Sequence, residues 1–506
     1  MMKLLALGIA AAAFSVAVMR AKPRTSTELL HPRCNSYLPI RPKEIGTEAV
    51  LSSPPSKLDR AWRPGDNTVL GNKEFDLVLF GATGFTGSLV AKYLASRYDP
   101  GVKWAIAGRS KTKLDALFKE FDPVLNHGVG VVVADASDEA SLQALVARAR
   151  VVVTTAGPYT DYGTLLVKAC AGSGVHYADL SGEPFWQREM VDAFDHVARS
   201  TGAKVVLASG YDSVPFDLGA LHALEEYHKA YGSSPAVSEI TAVVTESRGW
   251  ASGGTVASAI KTAKLIWAGG VSQAAVADPY LLVPQDDPGV VGACRSDLDV
   301  SGWGSAFPRY DSDVQALGIP HFMAVINARV VRRSLALKGL RNVSYAEGVS
   351  VGALVDWFLW IGKRVLTGEF PLGDFLPKPG DGPSPVVMRD GSARAEFVAK
   401  SPPSSTSTSR FVRTEVTFVG DPGYNATSRM LAEAGLCLAT PSCHLSNPNH
   451  TPPSNPLAQK DGDDDSSSGG VLTPASAMGM GLVRRLQAAD NGKFMQFRLL
   501  ASGELK

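Results

Sequence analysis

From Glu74 to Leu218, short apolar runs alternate with longer stretches whose apolar residues recur at helical spacing. The runs Asp76–Phe80, Lys103–Ala107, Val129–Ala134, Val151–Thr155, Val175–Leu180 and Lys204–Ala208 have the length and composition of strands. Between them Lys111–Phe121, Glu139–Arg148 and Tyr162–Ala171 carry the helical period. Strands apolar on both sides need helices on both faces. Residues 74–218 are therefore predicted to form a Rossmann domain, an α/β fold with a doubly wound parallel sheet.

Beyond Leu218 the pattern changes. Ser238–Glu246, Arg394–Lys400, Phe411–Val419 and Lys493–Ala501 read as strands of a more antiparallel sheet. Phe411–Val419, for example, places Val412, Thr414, Val416 and Phe418 on one side and Arg413 and Glu415 on the other. With the helical stretches Gly254–Trp267, Tyr424–Leu438 and Ala475–Gln487 they predict a second, α+β domain over residues 219–506, for substrate or oligomerisation. Ser401–Ser409 reads as a hairpin tip. Thr440–Gly470, with its Asn/Pro repeats, Asp463-Asp464-Asp465 and a serine run, reads as a disordered surface insertion.

Residues 1–73 form an apolar segment followed by a linker rich in Pro, Ser and basic residues. The run Leu4–Met19, with Lys3 before it and Arg20, Lys22 and Arg24 after it, predicts a membrane anchor that leaves a catalytic body in the cytosol. The alternative is a plastid or mitochondrial transit peptide, since acidic residues are scarce before Glu44. Ser350–Gly362, followed by Lys363 and Arg364, is a second apolar segment. It suits either a helix at a membrane or lipid-droplet surface or a helix packed in a core or homodimer contact.

The chain's 506 residues are 45% hydrophobic and 20% charged, with a formal net charge of +1, which leaves no electrostatic case for a nucleic-acid partner. Five scattered cysteines imply no disulfide framework and fit a reducing compartment. Cys437, Cys443 and His444 lack a second pair of ligands, so no metal site is expected.

The densest chemistry follows the first strand, where Gly81-Ala82-Thr83-Gly84-Phe85-Thr86-Gly87 runs into an amphipathic helix from Ser88 to Arg97. Strand, glycine turn and helix in that order suit a dinucleotide pyrophosphate. Gly81 permits the turn, Gly84 the approach of the phosphates and Gly87 close packing of helix on strand. The spacing departs from G-x-G-x-x-G, so the context carries the reading, and a purely structural turn is the alternative. At the end of the second strand Arg109 and Ser110 stand where a carboxylate would serve the ribose hydroxyls of NADH. Their charge and donors suit a 2′-phosphate, and so NADPH. Asp135 ends the third strand, and Ala156-Gly157-Pro158 follow the fourth, where small residues let a cofactor pass. Tyr159, Tyr177, Asp179, Glu183 and Tyr211, all at strand ends, are candidates to orient a nicotinamide or supply a proton; helix capping or packing is the alternative for each. No tyrosine has a lysine four residues later, so the acid–base pair of short-chain dehydrogenases is missing.

These motifs, with His176-Tyr177-Ala178-Asp179-Leu180-Ser181-Gly182-Glu183 and Gly210-Tyr211-Asp212-Ser213-Val214-Pro215, resemble the saccharopine dehydrogenase-like oxidoreductases. The resemblance is closest to the mycobacterial trans-acting enoyl reductase branch and extends to about Gln487. It implies an NADPH-dependent reductase of enoyl thioesters or related lipid-like acyl substrates. The alternative is a lipid-surface Rossmann protein whose nucleotide site is regulatory or vestigial.

Overall fold

The computed structural model describes residues 73–505 apart from 97–101, 122–127, 234–235, 250–252, 285–299, 305–307, 341, 370–381, 403–407 and 441–468. The first sheet is built from β1 (Phe75–Phe80), β2 (Trp104–Gly108), β3 (Gly130–Val133), β4 (Ala149–Thr154), β5 (His176–Ala178) and β6 (Lys204–Val206). All its pairings are parallel. Because successive side chains point to opposite faces, β1 divides its apolar residues between two cores. Leu77 and Leu79 pack on one face with Ile106, Val151 and Val153, and Val78 and Phe80 pack on the other with Ala105 and Val152. This is why the strand reads as continuously apolar.

The second sheet takes β7 (Glu239–Arg248), β8 (Arg309–Asp311), β9 (Ala316–Pro320), β10 (Ser344–Ser350), β11 (Ser392–Lys400) and β12 (Ser409–Val419). The chain then returns to the first sheet with β13 (Gly470–Leu472) and closes the second with β14 (Met495–Leu505). The orders are β13-β6-β5-β4-β1-β2-β3 and β14-β12-β11-β7-β10-β9-β8. The second sheet is antiparallel except for the β7–β10 pair. Residues beyond 218 therefore contribute to both sheets. Gly470 pairs with Lys204, and the Thr427–Ala439 helix lies on β1 and β4, with Gly435 against Leu77 and Val153.

Period-two alternation also organises the second sheet. Ala242 and Val244 face the helices Val214–Tyr231 and Ala324–Leu337, whereas Val243 faces Trp303 and Val398. On β12 Arg413 and Glu415 share the other side from the core residues, as the alternation predicts. Arg413 pairs with Glu396, and Glu415 with Arg394 and Arg498.

One expectation changes here. Among the described residues no helix is long and apolar enough to cross a membrane, which overturns the assignment of a membrane-associated catalytic body. The Leu4–Met19 run behind that assignment, and behind its transit-peptide alternative, lies outside the described residues. The second apolar segment forms the helix Val351–Leu366, capped by Ser350 and tied to the end of β7. Its Asp356 pairs with Arg248, and Trp357 Nε1 donates to the Gly249 carbonyl at 3.0 Å. Residues 441–468 of the expected insertion are also outside the described set. Cysteine reading needs one amendment as well: Cys437 is disulfide-bonded, while Cys170 is free and buried.

Candidate cofactor and active site

The turn after β1 is closed by its own backbone. Gly81 and Ala82 N–H groups both donate to the Ala107 carbonyl of β2, at 2.9 and 3.1 Å, and Gly84 N–H donates to Gly81 at 3.1 Å. Gly81 has φ +82°, in the left-handed region that disfavours side chains. A Cβ on Gly87 would lie 2.1 Å from the Gly81 carbonyl oxygen, so the helix meets the strand only without one. At Gly84 a Cβ would meet nothing closer than that carbonyl, at 3.4 Å. The space before it is open, and the first amides of the Phe85–Ser96 helix, which lack intrahelical acceptors, give onto it. That cradle fits a pyrophosphate. Thr83 and Thr86 lie in the same turn, and the Phe85 ring is braced from outside it, edge-on to Tyr424 at 4.7 Å.

The residues expected around the adenosine end separate by role. Arg109 is exposed after β2 and makes no ion pair among the described residues. Ser110 instead caps the Lys111–Phe118 helix, its hydroxyl accepting from Lys113 N–H, and Lys111 pairs with Asp115. Asp135 Oδ1 accepts from Ser137 N–H at 2.9 Å and shapes its turn. Ala156 N–H donates to Thr154 Oγ1, and the cis Gly157–Pro158 bond leads into the helical turn Tyr159–Tyr162. Arg109 is thus the cation left available for a 2′-phosphate.

Four of the five candidate catalytic residues form one buried lattice across the ends of β4, β5 and β6. The Tyr159 hydroxyl donates to the Thr154 carbonyl at 3.1 Å and accepts from Leu180 N–H at 3.0 Å. Tyr177 donates to Asp179 Oδ2 at 2.9 Å. Asp179 accepts further bonds from Ser181 and from Ala208 N–H, yet burial outweighs them and raises its carboxyl to about 6. Glu183 accepts from the Tyr159 and Thr160 N–H groups, both at 2.9 Å, and from the hydroxyls of Thr160 and Ser258. Each of these groups is occupied within the protein. Burial also lifts both phenols well above the usual tyrosine range, with the Asp179 charge adding to it.

Tyr211 stands apart. It is partly exposed just before the Val214–Tyr231 helix, its ring set against Phe216 and Phe418. Its neighbour Asp212 has a carboxylate with no hydrogen-bond partner among the described residues, and desolvation raises it to about 6. One of its oxygens lies 3.0 Å from where a Cβ on Gly182 would sit, and Ile326 Cδ1 lies 3.3 Å from the same point. Sequence reading did not single out Asp212 as catalytic. Its acidity depends on what it lacks in space, and the chain around it, Tyr211-Asp212-Ser213, reads equally well as a helix cap.

A parallel sheet with an open glycine cradle after its first strand, an available arginine after its second and a mixed sheet beyond defines the class of NADP-binding Rossmann oxidoreductases. Residues 77–206 match the saccharopine dehydrogenase NADP binding domain. A Mycobacterium tuberculosis protein named for trans-acting enoyl reductase activity is 37% identical over 449 residues, covering 85% of this chain and 99% of that protein. The trans-acting enoyl reductase of Mycobacterium ulcerans is 33% identical over 446 residues, covering 82% and 96%. Among solved structures, apo saccharopine dehydrogenase from Saccharomyces cerevisiae aligns with a TM-score of 0.45 at 12% identity, over 84% of this chain and 99% of that one. The chain belongs to the trans-acting enoyl reductase family of saccharopine dehydrogenase-like proteins. It is an oxidoreductase and its cofactor is NADPH.

Proposed function

We propose that this enzyme reduces the carbon–carbon double bond of an enoyl thioester on a lipid-like acyl chain. The observation that carries the reading is the Tyr211–Asp212 pair, a phenol beside an acid that has no hydrogen-bond partner among the described residues and keeps its proton up to about 6. The near full-length similarity to proteins named as enoyl reductases supports it. Bound NADPH supplies a hydride.

The turn Gly81–Gly87, with the backbone of Thr83, Phe85 and Thr86, holds the pyrophosphate, and Arg109 holds the 2′-phosphate. Ala156, Gly157 and Pro158 flank the cofactor's path along the sheet edge. As the β-carbon is reduced, charge moves to the thioester oxygen, where Tyr211 donates a hydrogen bond. Asp212 gives its proton to the α-carbon and is reloaded from solvent. The lattice of Tyr159, Tyr177, Asp179 and Glu183 keeps the strand ends in register beneath these groups.

The test is NADPH oxidation followed by absorbance against a panel of enoyl-CoA thioesters, with saccharopine and amino acids as the competing substrate class. Turnover of enoyl thioesters is expected to fall about a hundred-fold in Asp212→Asn. Turnover of amino acids alone would replace this reading with an amino-acid dehydrogenase. Cofactor binding without turnover of any substrate would favour a regulatory nucleotide site.

A further inference from the structure

One ionisable cluster takes no part in the chemistry above. Glu347, in the middle of β10, is fully buried, and three donors converge on its carboxylate. His321 Nδ1 lies 2.6 Å from Oε1, Asn327 Nδ2 donates to the same oxygen at 2.9 Å, and the Tyr345 hydroxyl donates to Oε2 at 3.1 Å. The carboxylate accepts only, so Nδ1 of His321 carries a proton and the ring's orientation is fixed. The other nitrogen, Nε2, has no hydrogen-bond partner among the described residues. Nor is it sealed, unlike both nitrogens of His222, which are buried without a hydrogen bond.

His321 sits just before the Ala324–Leu337 helix, whose Ile326 faces Gly182, as Asp212 does. Its ring packs on Phe216 at 5.6 Å between centroids, and the Tyr211 ring packs on the same phenylalanine at 6.3 Å. Charge on Glu347 and on Asp212 both act on the Tyr211 phenol, so these groups share one neighbourhood. A carboxylate buried only to tie strand to helix is costly, and an apolar side chain would serve there as well. A carboxylate that aims an imidazole has a reason to remain.

Resting on the enoyl reductase reading, we propose that His321, aimed by Glu347 and carrying a proton on each ring nitrogen, is a second hydrogen-bond donor to the thioester oxygen beside Tyr211. When hydride reaches the β-carbon, the double-bond electrons move onto the α-carbon and the carbonyl oxygen. Tyr211 and His321 Nε2–H hold that oxygen without giving up their protons. The carbonyl re-forms when Asp212 protonates the α-carbon.

Two amide substitutions separate this role from a structural one. Asparagine at 321 reproduces the Nδ1 donor to Glu347 but cannot reach the position of Nε2; glutamine reproduces the Nε2 donor and gives up the Nδ1 contact. With decenoyl-CoA and NADPH, His321→Asn should lose about a hundred-fold in kcat, with NADPH affinity and thermal midpoint unchanged. His321→Gln should recover part of that loss although its midpoint is lower. Full activity in His321→Asn with failure only in His321→Gln would overturn the proposal and leave His321 a strut. Absence of turnover by the unaltered chain would overturn the enoyl reductase reading itself, and this role with it. If His321→Asn does not bind NADPH, and so is not folded, the isosteric Glu347→Gln replaces it. That variant should lose about ten-fold in kcat at unchanged NADPH affinity, and an unchanged kcat there would overturn the proposal.

Discussion

At the scale of single residues, what a side chain is free to do differs from what its type suggests. Tyr159 and Tyr177 are proton donors by type, but their hydroxyls are bonded within the buried lattice. Arg109 and Asp212 have no partner among the described residues, and two predictions attach to them. Arg109→Ala should weaken NADPH at least about ten-fold while leaving NADH unchanged, the difference one charge-assisted contact makes. Fluorescence titration with both nucleotides measures this, and equal NADPH affinity would make Arg109 a bystander. Asp212 keeps its proton in the folded protein up to about 6, whereas an unfolded aspartate loses it near ~3.9. The folded state therefore binds the extra proton between those values. The stabilisation from the protonated form is complete below the unfolded pKa and is lost as pH rises through the folded one. Asp212→Asn should accordingly gain in thermal midpoint, relative to the unaltered protein, as pH passes from about 4 to about 7. In the unaltered enzyme kcat should decline above pH about 6, and that decline should vanish in the variant; a parallel pH profile in both would remove Asp212 from the reaction.

At the scale of elements, local requirements were legible and distant ones were not. The glycine turn could be read because its demands fall on adjacent residues: a positive φ at Gly81, an open face at Gly84, contact at Gly87. The paired substitutions Gly84→Val and Gly87→Val should separate these demands. The first should keep its circular dichroism spectrum and lose NADPH binding by calorimetry, because its branched side chain fills the phosphate's place. The second should disturb the fold, since its Cβ alone would collide with the Gly81 carbonyl. Normal NADPH affinity in folded Gly84→Val would dispose of the cradle. The dyad of His321 and Glu347 left no trace in the sequence, because its partners come from a loop, a strand and a helix that carry no common spacing. β13 was missed for a related reason: Gly470–Leu472 is too short to show a period and follows a compositionally biased stretch.

At the scale of the whole molecule, buried polar contacts tie together helices far apart in the sequence. Glu433, fully buried on the Thr427–Ala439 helix, accepts from Tyr93 at 2.7 Å and from Arg485 at 2.9 Å, joining three helices over the first sheet. Removing that cation takes a charge-assisted donor from a buried carboxylate, so Arg485→Ala should cost about 3 kcal/mol in urea unfolding. Arg485→Met with Glu433→Leu should recover most of it, and a loss of less than about 1 kcal/mol in the single variant would mean solvent already screens the pair.

The return of the chain to β13 also sets an order on biosynthesis. Until residue 472 has left the ribosome, β6 presents an open edge that none of the described residues before 441 pairs. The cofactor domain, although encoded early, is thus finished late. A nascent chain stalled before Gly470 should therefore be captured by a chaperone that shields strand edges, and one released with β13 should not.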